Sequence, residues 1–230
     1  MTSPESRVEP ATTAVVPAAA GVVFGDRLPL AVRYRDRMAG DGVVRGLIGP
    51  RERARLWERH VLNSAILTDV LPDGVRVVDI GSGAGLPGIP MAIRRPDLHV
   101  DLVEPMQRRT KFLSEVVVEL GLAGRIRVVR GRAEDPEVLR TVGDSDWVVA
   151  RAVAPLDRLV RWCLPLLSAT GRLLALKGAS AADEVERHAV ALRAGGARVE
   201  AIDQLGGDVL GEQTWVVVVS RATEANARKK

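Results

Sequence analysis

Residues 75–80 read VRVVDI and run directly into GSGAGLPGIP, residues 81–90. A continuous β-branched run is the pattern of a strand buried on both faces. Glycines placed straight after it let the backbone turn tightly and let a ligand approach without a Cβ in the way. A strand, glycine loop and helix in this order commit the chain to an α/β fold with a parallel sheet. Gly83, Gly85 and Gly88 form a G-x-G-x-x-G, which by itself leaves the ligand open.

The rest of the chain repeats the alternation. A short helix is expected over 87–95, a strand over 98–104, and a helix over 105–121 with Met106, Phe112, Leu113, Val116, Val117 and Leu120 inward and Gly121 as its cap. Further strands are expected over 125–131, 146–152 and 171–178. Helices are expected over 155–165 and 181–194. Residues 197–205 and 214–220 read as a closing antiparallel hairpin. Before the first strand, helical periodicity runs over 24–38 and 51–70, the second segment placing Leu56, His60, Leu62 and Ile66 near its apolar stripe. The expected architecture is a seven-stranded, Rossmann-like α/β domain over 73–220 with a helical cap over 21–72. Residues 1–20 read as a disordered tail and 221–230 as a basic tail.

Asp79 discriminates among ligands. It ends the first strand, where a carboxylate would repel the pyrophosphate of a dinucleotide. S-adenosylmethionine has no phosphate, and its ammonium and sulfonium favour an acid there. Glu104, about 20 residues on, can accept ribose hydroxyls from either ligand. Glu134 follows the third strand, where it or the local backbone could meet an adenine edge; a solvated loop acid or helix N-cap is the plainer alternative. The expected donor site comprises Asp79, Gly81, Gly83, Gly85, Leu86, Glu104, Ala133, Glu134 and Arg151. Competing readings are an NAD(P)-dependent oxidoreductase, a small-molecule methyltransferase and a non-catalytic RNA-binding module.

Composition narrows the class. The chain has 33 Lys and Arg against 29 acids, and one cysteine, which forbids an internal disulfide. Neither a membrane-spanning run nor an export signal is evident, so a cytoplasmic protein without a membrane partner is expected. The working expectation for its assembly is a monomer without a DNA partner. No His, Cys and acid cluster has metal-ligand spacing. Cys163 sits in an apolar helix and reads as a buried inert thiol.

The segments DIGSGAGLPGIP, RHVLNS, RRTKFL, GRAED, ARAVAPL and LALKG resemble, in order and spacing, the glucose-inhibited division protein B family. The resemblance covers residues 55–178. It implies a class I methyltransferase fold, S-adenosylmethionine as donor, and guanine N7 in the 530 loop of bacterial 16S ribosomal RNA (guanine-527) as acceptor. For that family it also implies a link between lost methylation and low-level streptomycin resistance. Lys177 matches a family position that faces RNA, though a strand-end lysine is otherwise commonly just solvated. Arg132 matches another basic family position on the RNA side. His60 matches the family histidine, read equally as ordering a lid or the substrate or as a satisfied half-buried histidine. Two departures stand out. No Asn-Leu-Thr segment precedes the histidine helix near residues 43–45, and Gln213 occupies a position that is basic in many members.

The residues suit that chemistry. Guanine N7 has an in-plane lone pair and no proton to lose, so alignment suffices and no general base is needed. Arg151, at the end of the fourth strand, is the expected catalytic residue. It could hold the methionine carboxylate, donate to guanine O6, or merely pair with Asp79 or Asp146. Arg108, Arg109 and Lys111 could touch phosphates, or form an ordinary solvated face. Aromatics are only 3% of the chain, leaving Tyr34 and Trp57 as possible stacking platforms, with core packing the commoner use of Trp57.

Overall fold

A computed structural model describes residues 15–151, 154–211 and 213–222. The sheet contains β1 (Arg76–Ile80), β2 (His99–Glu104), β3 (Ile126–Arg130), β4 (Ser145–Arg151), β5 (Leu167–Lys177), β6 (Ala197–Leu205) and β7 (Thr214–Arg221). Their order is β3-β2-β1-β4-β5-β7-β6. All neighbours are parallel except the pairs of β7 with β5 and β6, so the closing hairpin forms as expected. The order reverses beside β1, which opens a crevice over the carboxyl ends of β1 and β4.

Two apolar layers cover the sheet. On one face α6 (Pro136–Val142), α7 (Leu156–Cys163) and α8 (Ala181–Ala194) bury Val138, Leu159, Cys163 and Leu192. The Cys163 thiol is fully buried and pushed up by burial, so it stays protonated and inert. On the other face lie α4 (Gly88–Arg94), α5 (Gln107–Glu119) and the N-terminal helices α1 (Ala18–Phe24) and α2 (Leu28–Arg37). Tyr34, Met38, Leu56 and Leu67 of the N-terminal part share one core with Met91 of α4 and Phe112 of α5. Each such side chain contributes about 1.5–3 kcal/mol on burial. Arg37 and Arg45 add ion pairs to Glu119 and Glu115 of α5.

Several boundaries differ from the periodicity. Helix α1 starts at Ala18 and buries Ala20, so ordered chain begins inside the segment read as a tail. Residues 1–14 and 223–230, where most of both expected tails fall, lie outside the described residues. Met106 is 40% exposed rather than inward, because it is the extended residue preceding α5 and does not share the helix's apolar face. Strand β5 begins at Leu167, four residues before the expected Gly171.

The expected helix over 51–70 is broken. A tight turn, Pro50–Arg55, is followed by the wide turn Leu56–Leu62, the short helix α3 (Asn63–Ala65) and a second tight turn, Ile66–Val70. Side chains from the sheet domain supply donors to the carbonyls of this irregular stretch. Arg151 Nη2 donates to the Arg59 carbonyl at 2.8 Å, and Arg94 Nη1 to the Ala65 carbonyl at 3.2 Å. Periodicity reads apolar spacing, and Leu56, Leu62 and Ile66 are indeed buried; it does not register donors arriving from other segments.

Candidate active site

The glycine loop is built so that two carboxylates occupy its amides. Asp79 is fully buried, and its Oδ2 accepts the Gly88 N–H at 3.0 Å. Gly88 has to be glycine: a Cβ there would lie 2.4 Å from Leu102 Cδ2 and 2.8 Å from Asp79 Oδ2. Glu104 is 1% exposed; its Oε2 accepts the Gly83 N–H and its Oε1 the Met106 N–H, both at 3.0 Å, and Arg109 pairs with it at 3.5 Å. Gly81, Gly83 and Gly85 all have positive φ, conformations that L side chains rarely adopt. Gly85 and Leu86 donate their amides to the Ser82 carbonyl. Leu86 and Ala133 are buried beside the crevice; Glu134 is exposed.

These contacts decide against a dinucleotide. A pyrophosphate needs free amides at the helix N-terminus, yet the Gly83 and Gly88 amides are already held by Glu104 and Asp79. The Asp79 Oδ1 is buried with no hydrogen-bond partner. Burial raises the Asp79 carboxyl to about 7, the Gly88 amide and the Ser82 hydroxyl oppose the shift, and the charge of Glu104 adds to it. A buried carboxylate oxygen lacking a partner fits a cationic ligand group such as the ammonium of S-adenosylmethionine. Glu104 retains acceptor capacity on both oxygens beyond its three protein contacts. The donor residues therefore fit S-adenosylmethionine.

Next to this loop, a cavity of about 780 Å³ opens over the ends of β4 and β5. Arg59 and Asn63 line it from the cap, Arg151 and Lys177 from the strand ends, and Gln213 and Thr214 from the start of β7. β7 reaches this end because it is antiparallel, pairing Trp215 with Lys177. The Thr214 hydroxyl is buried without a partner. Among the described residues, the lining holds no acid, histidine or cysteine.

Arg151 makes no ion pair with Asp79 or Asp146. Its Nη1 donates to the His60 carbonyl and to Ser64 Oγ, both at 3.2 Å, and its Nη2 to the Arg59 carbonyl and His60 Nδ1, both at 2.8 Å. Burial lowers its pKa to about 10, which leaves it charged at neutral pH. Lys177 is less available than expected: its side chain is 9% exposed and its Nζ donates to the Ala154 carbonyl at 3.1 Å and to Glu184 Oε1 at 2.9 Å. Arg108 and Arg132 are exposed. The Asp135 carboxylate accepts the Arg132 N–H, so the acid beside Glu134 serves to order the turn before α6. Tyr34 and Trp57 are 0% and 5% exposed, which removes both as stacking platforms. Trp215, half-buried on the cavity wall, is the aromatic left there, and nothing in its strand context singles it out in sequence. Glu52, Asn63, Ser64 and Thr214 also belong to the site and were missed.

Fold and loop together define a class I methyltransferase using S-adenosylmethionine. The chain is similar to an O-methyltransferase of neocarzinostatin biosynthesis solved with S-adenosylmethionine (TM-score 0.58, 16% identity, 88% of this chain and 68% of that one). It is also similar to the B. subtilis tRNA methyltransferase TrmK (TM-score 0.51, 16% identity, 74% and 68%). More specifically, the family model GidB, rRNA small subunit methyltransferase G, matches residues 27–213, and the chain belongs to this family. Curated relatives named ribosomal RNA small subunit methyltransferase G are 54% identical in Mycobacterium sp. strain JLS (92% of this chain, 93% of the relative) and 53% in Corynebacterium jeikeium (89% and 91%).

Proposed function

We propose that the protein transfers the methyl group of S-adenosylmethionine to N7 of a guanine in the 530 loop of 16S ribosomal RNA, guanine-527 by family resemblance. The observation carrying this reading is the cavity beside the glycine loop, rimmed by Arg59 and Arg151 and lined, among the described residues, by no acid, histidine or cysteine, its one lysine, Lys177, being held by Glu184. An exocyclic amine or a hydroxyl has a proton to lose; guanine N7 has none. Its lone pair takes the methyl carbon while the carbon–sulfur electrons return to sulfur, and the positive charge passes to the purine. In this reading Asp79 holds the donor ammonium, Glu104 the ribose, and Ala133 and Glu134 the adenine edge.

Arg151 lies at the junction of donor loop and cavity; its four Nη hydrogens are committed to the N-terminal segment, so donation to guanine O6 falls to its Nε–H and would leave N7 free. A base must leave its stack to enter, since the deep groove of A-form RNA hides N7. Arg108 and Arg132 extend the basic rim toward the phosphate backbone. Lys177 shapes the floor through Glu184 and Ala154. No helix among the described residues is long and apolar enough to cross a membrane. A monomer working in the cytoplasm on the small subunit, without DNA or membrane partners, is the consistent setting. The N-terminal 21–72 cap and the 73–220 domain act in this reading as one catalytic unit.

The test is incubation of unmethylated 30S subunits with methyl-labelled donor, then nuclease digestion and mass spectrometry. Label as 7-methylguanosine in the 530 loop is expected. Donor binding without label on subunits or naked ribosomal RNA would overturn the acceptor assignment.

A further inference from the structure

Three elements meet at one imidazole. Glu52 lies in the turn Pro50–Arg55, His60 in the wide turn Leu56–Leu62, and Arg151 at the end of β4. A guanidinium has donors only, so the 2.8 Å contact from Arg151 Nη2 to His60 Nδ1 makes Nδ1 an acceptor. The single ring proton then sits on Nε2, which donates to Glu52 Oε2 at 2.7 Å. The tautomer is thus set by its two neighbours.

We propose that Glu52 and His60 are positioning residues that orient the Arg151 guanidinium at the mouth of the acceptor cavity. Glu52 holds the proton on Nε2; His60 offers Nδ1 to Arg151. This inference rests on reading Arg151 as an acceptor-side group. The carbonyls of Arg59 and His60 and the Ser64 hydroxyl also hold Arg151, but they accept at every pH. Nδ1 is the partner that a proton can switch off: an imidazolium presents N–H toward N–H and one positive charge toward another. The charged groups facing the ring are Glu52 from the preceding turn, Arg59 from its own turn and Arg151 from β4; Tyr34 and Asp79 face Arg151 from α2 and β1. Burial first, and Arg151 next, hold the His60 pKa below the usual range, with Glu52 opposing. The ring is therefore neutral at working pH.

The experiment uses the full chain. Two-bond proton–nitrogen spectra of ¹⁵N-histidine protein, assigned with His60→Asn, read the tautomer directly; neutral Nε2–H at pH 7.5 is expected. Rates on unmethylated 30S subunits at saturating donor should fall about 10²-fold in His60→Ala, the scale of a misplaced catalytic group. Donor KM should hold. His60→Asn, whose side-chain oxygen can accept from Arg151, should recover most of the rate and lose the acid limb of the pH profile. An Nδ1–H tautomer would overturn the proposal. So would equal losses in His60→Ala and His60→Asn with an unchanged acid limb, the pattern of a merely structural histidine. If His60→Ala fails to fold, the spectra and the His60→Asn profile still decide. Wild-type inactivity on subunits with the Nε2–H tautomer intact would sink the acceptor reading alone.

Discussion

The donor and acceptor sides of the crevice are made in opposite ways. The donor side is backbone: glycine amides satisfied by Asp79 and Glu104, all within residues 79–106 and packed without slack. The acceptor side is side chains: Arg59 and Asn63 from the cap, Arg151 from β4, Gln213 and Thr214 from the closing hairpin, around an open volume. The first binds a ligand whose polar groups never vary. In the proposed function the second admits a base of ribosomal RNA. Rigidity and openness are thus distributed according to what each half receives.

The comparison breaks most visibly at Asp79. Asp79→Asn keeps an acceptor for Gly88 and removes the charge, so donor affinity by calorimetry should fall by up to about 10²-fold, the worth of a charge-assisted contact. RNA binding should be untouched; joint loss of both would mean the two sides are not separate. Next, Gly88→Ala drives a Cβ into Leu102 and Asp79, and overpacking of this kind costs about 1–3 kcal/mol. Thermal melts should show it, and added donor should recover only part because Asp79 is displaced.

The reverse separation is tested by Arg108→Glu and Arg132→Glu. Each should raise the RNA KM several-fold and lower the salt-dependence slope by about 1 if it removes one phosphate contact, with donor affinity unchanged. The smallest effect is protonic. With Asp79 raised to about 7, a cation bound beside it lowers that value, so donor binding near pH 7 should release less than one proton. Calorimetry in buffers of different ionisation enthalpy measures this. The same shift has a sign in the free protein. The folded state holds the Asp79 proton more tightly than the unfolded chain, so its contribution to stability is present at low pH and lost as pH rises from about 4 through 7. His60, lowered, contributes oppositely: its share is present above about 6.5 and lost as pH falls.

The sequence was legible wherever neighbours in sequence are neighbours in the site. β1, the glycine loop and the acid at the end of β2 are a local unit, and their spacing pointed to the donor and the sheet. The acceptor side is not local. Arg151 and His60 are 91 residues apart in the chain and in contact in space. Glu52 and His60 would be about 12 Å apart along a regular helix; they touch only because a tight turn meets a wide one. Apolar period cannot report that break. Lys177 taught the converse lesson: a strand-end lysine looked free until Glu184, seven residues on, was seen to hold it.

The antiparallel entry of β7 has a consequence for how such an enzyme can change. Since β7 begins where β5 ends, the turn leading into it hangs over the cavity while lying outside the strand ladder. Gly207, Gly211 and Gln213 of that turn line the cavity and lie outside the strand ladder, while the buried Leu210 anchors the turn in the core, so exchanges at the cavity-facing positions leave the strand registers untouched. In the proposed reading the donor contacts and the access to the cavity thereby belong to different stretches of chain, so a substitution in the turn touches the second without touching the first.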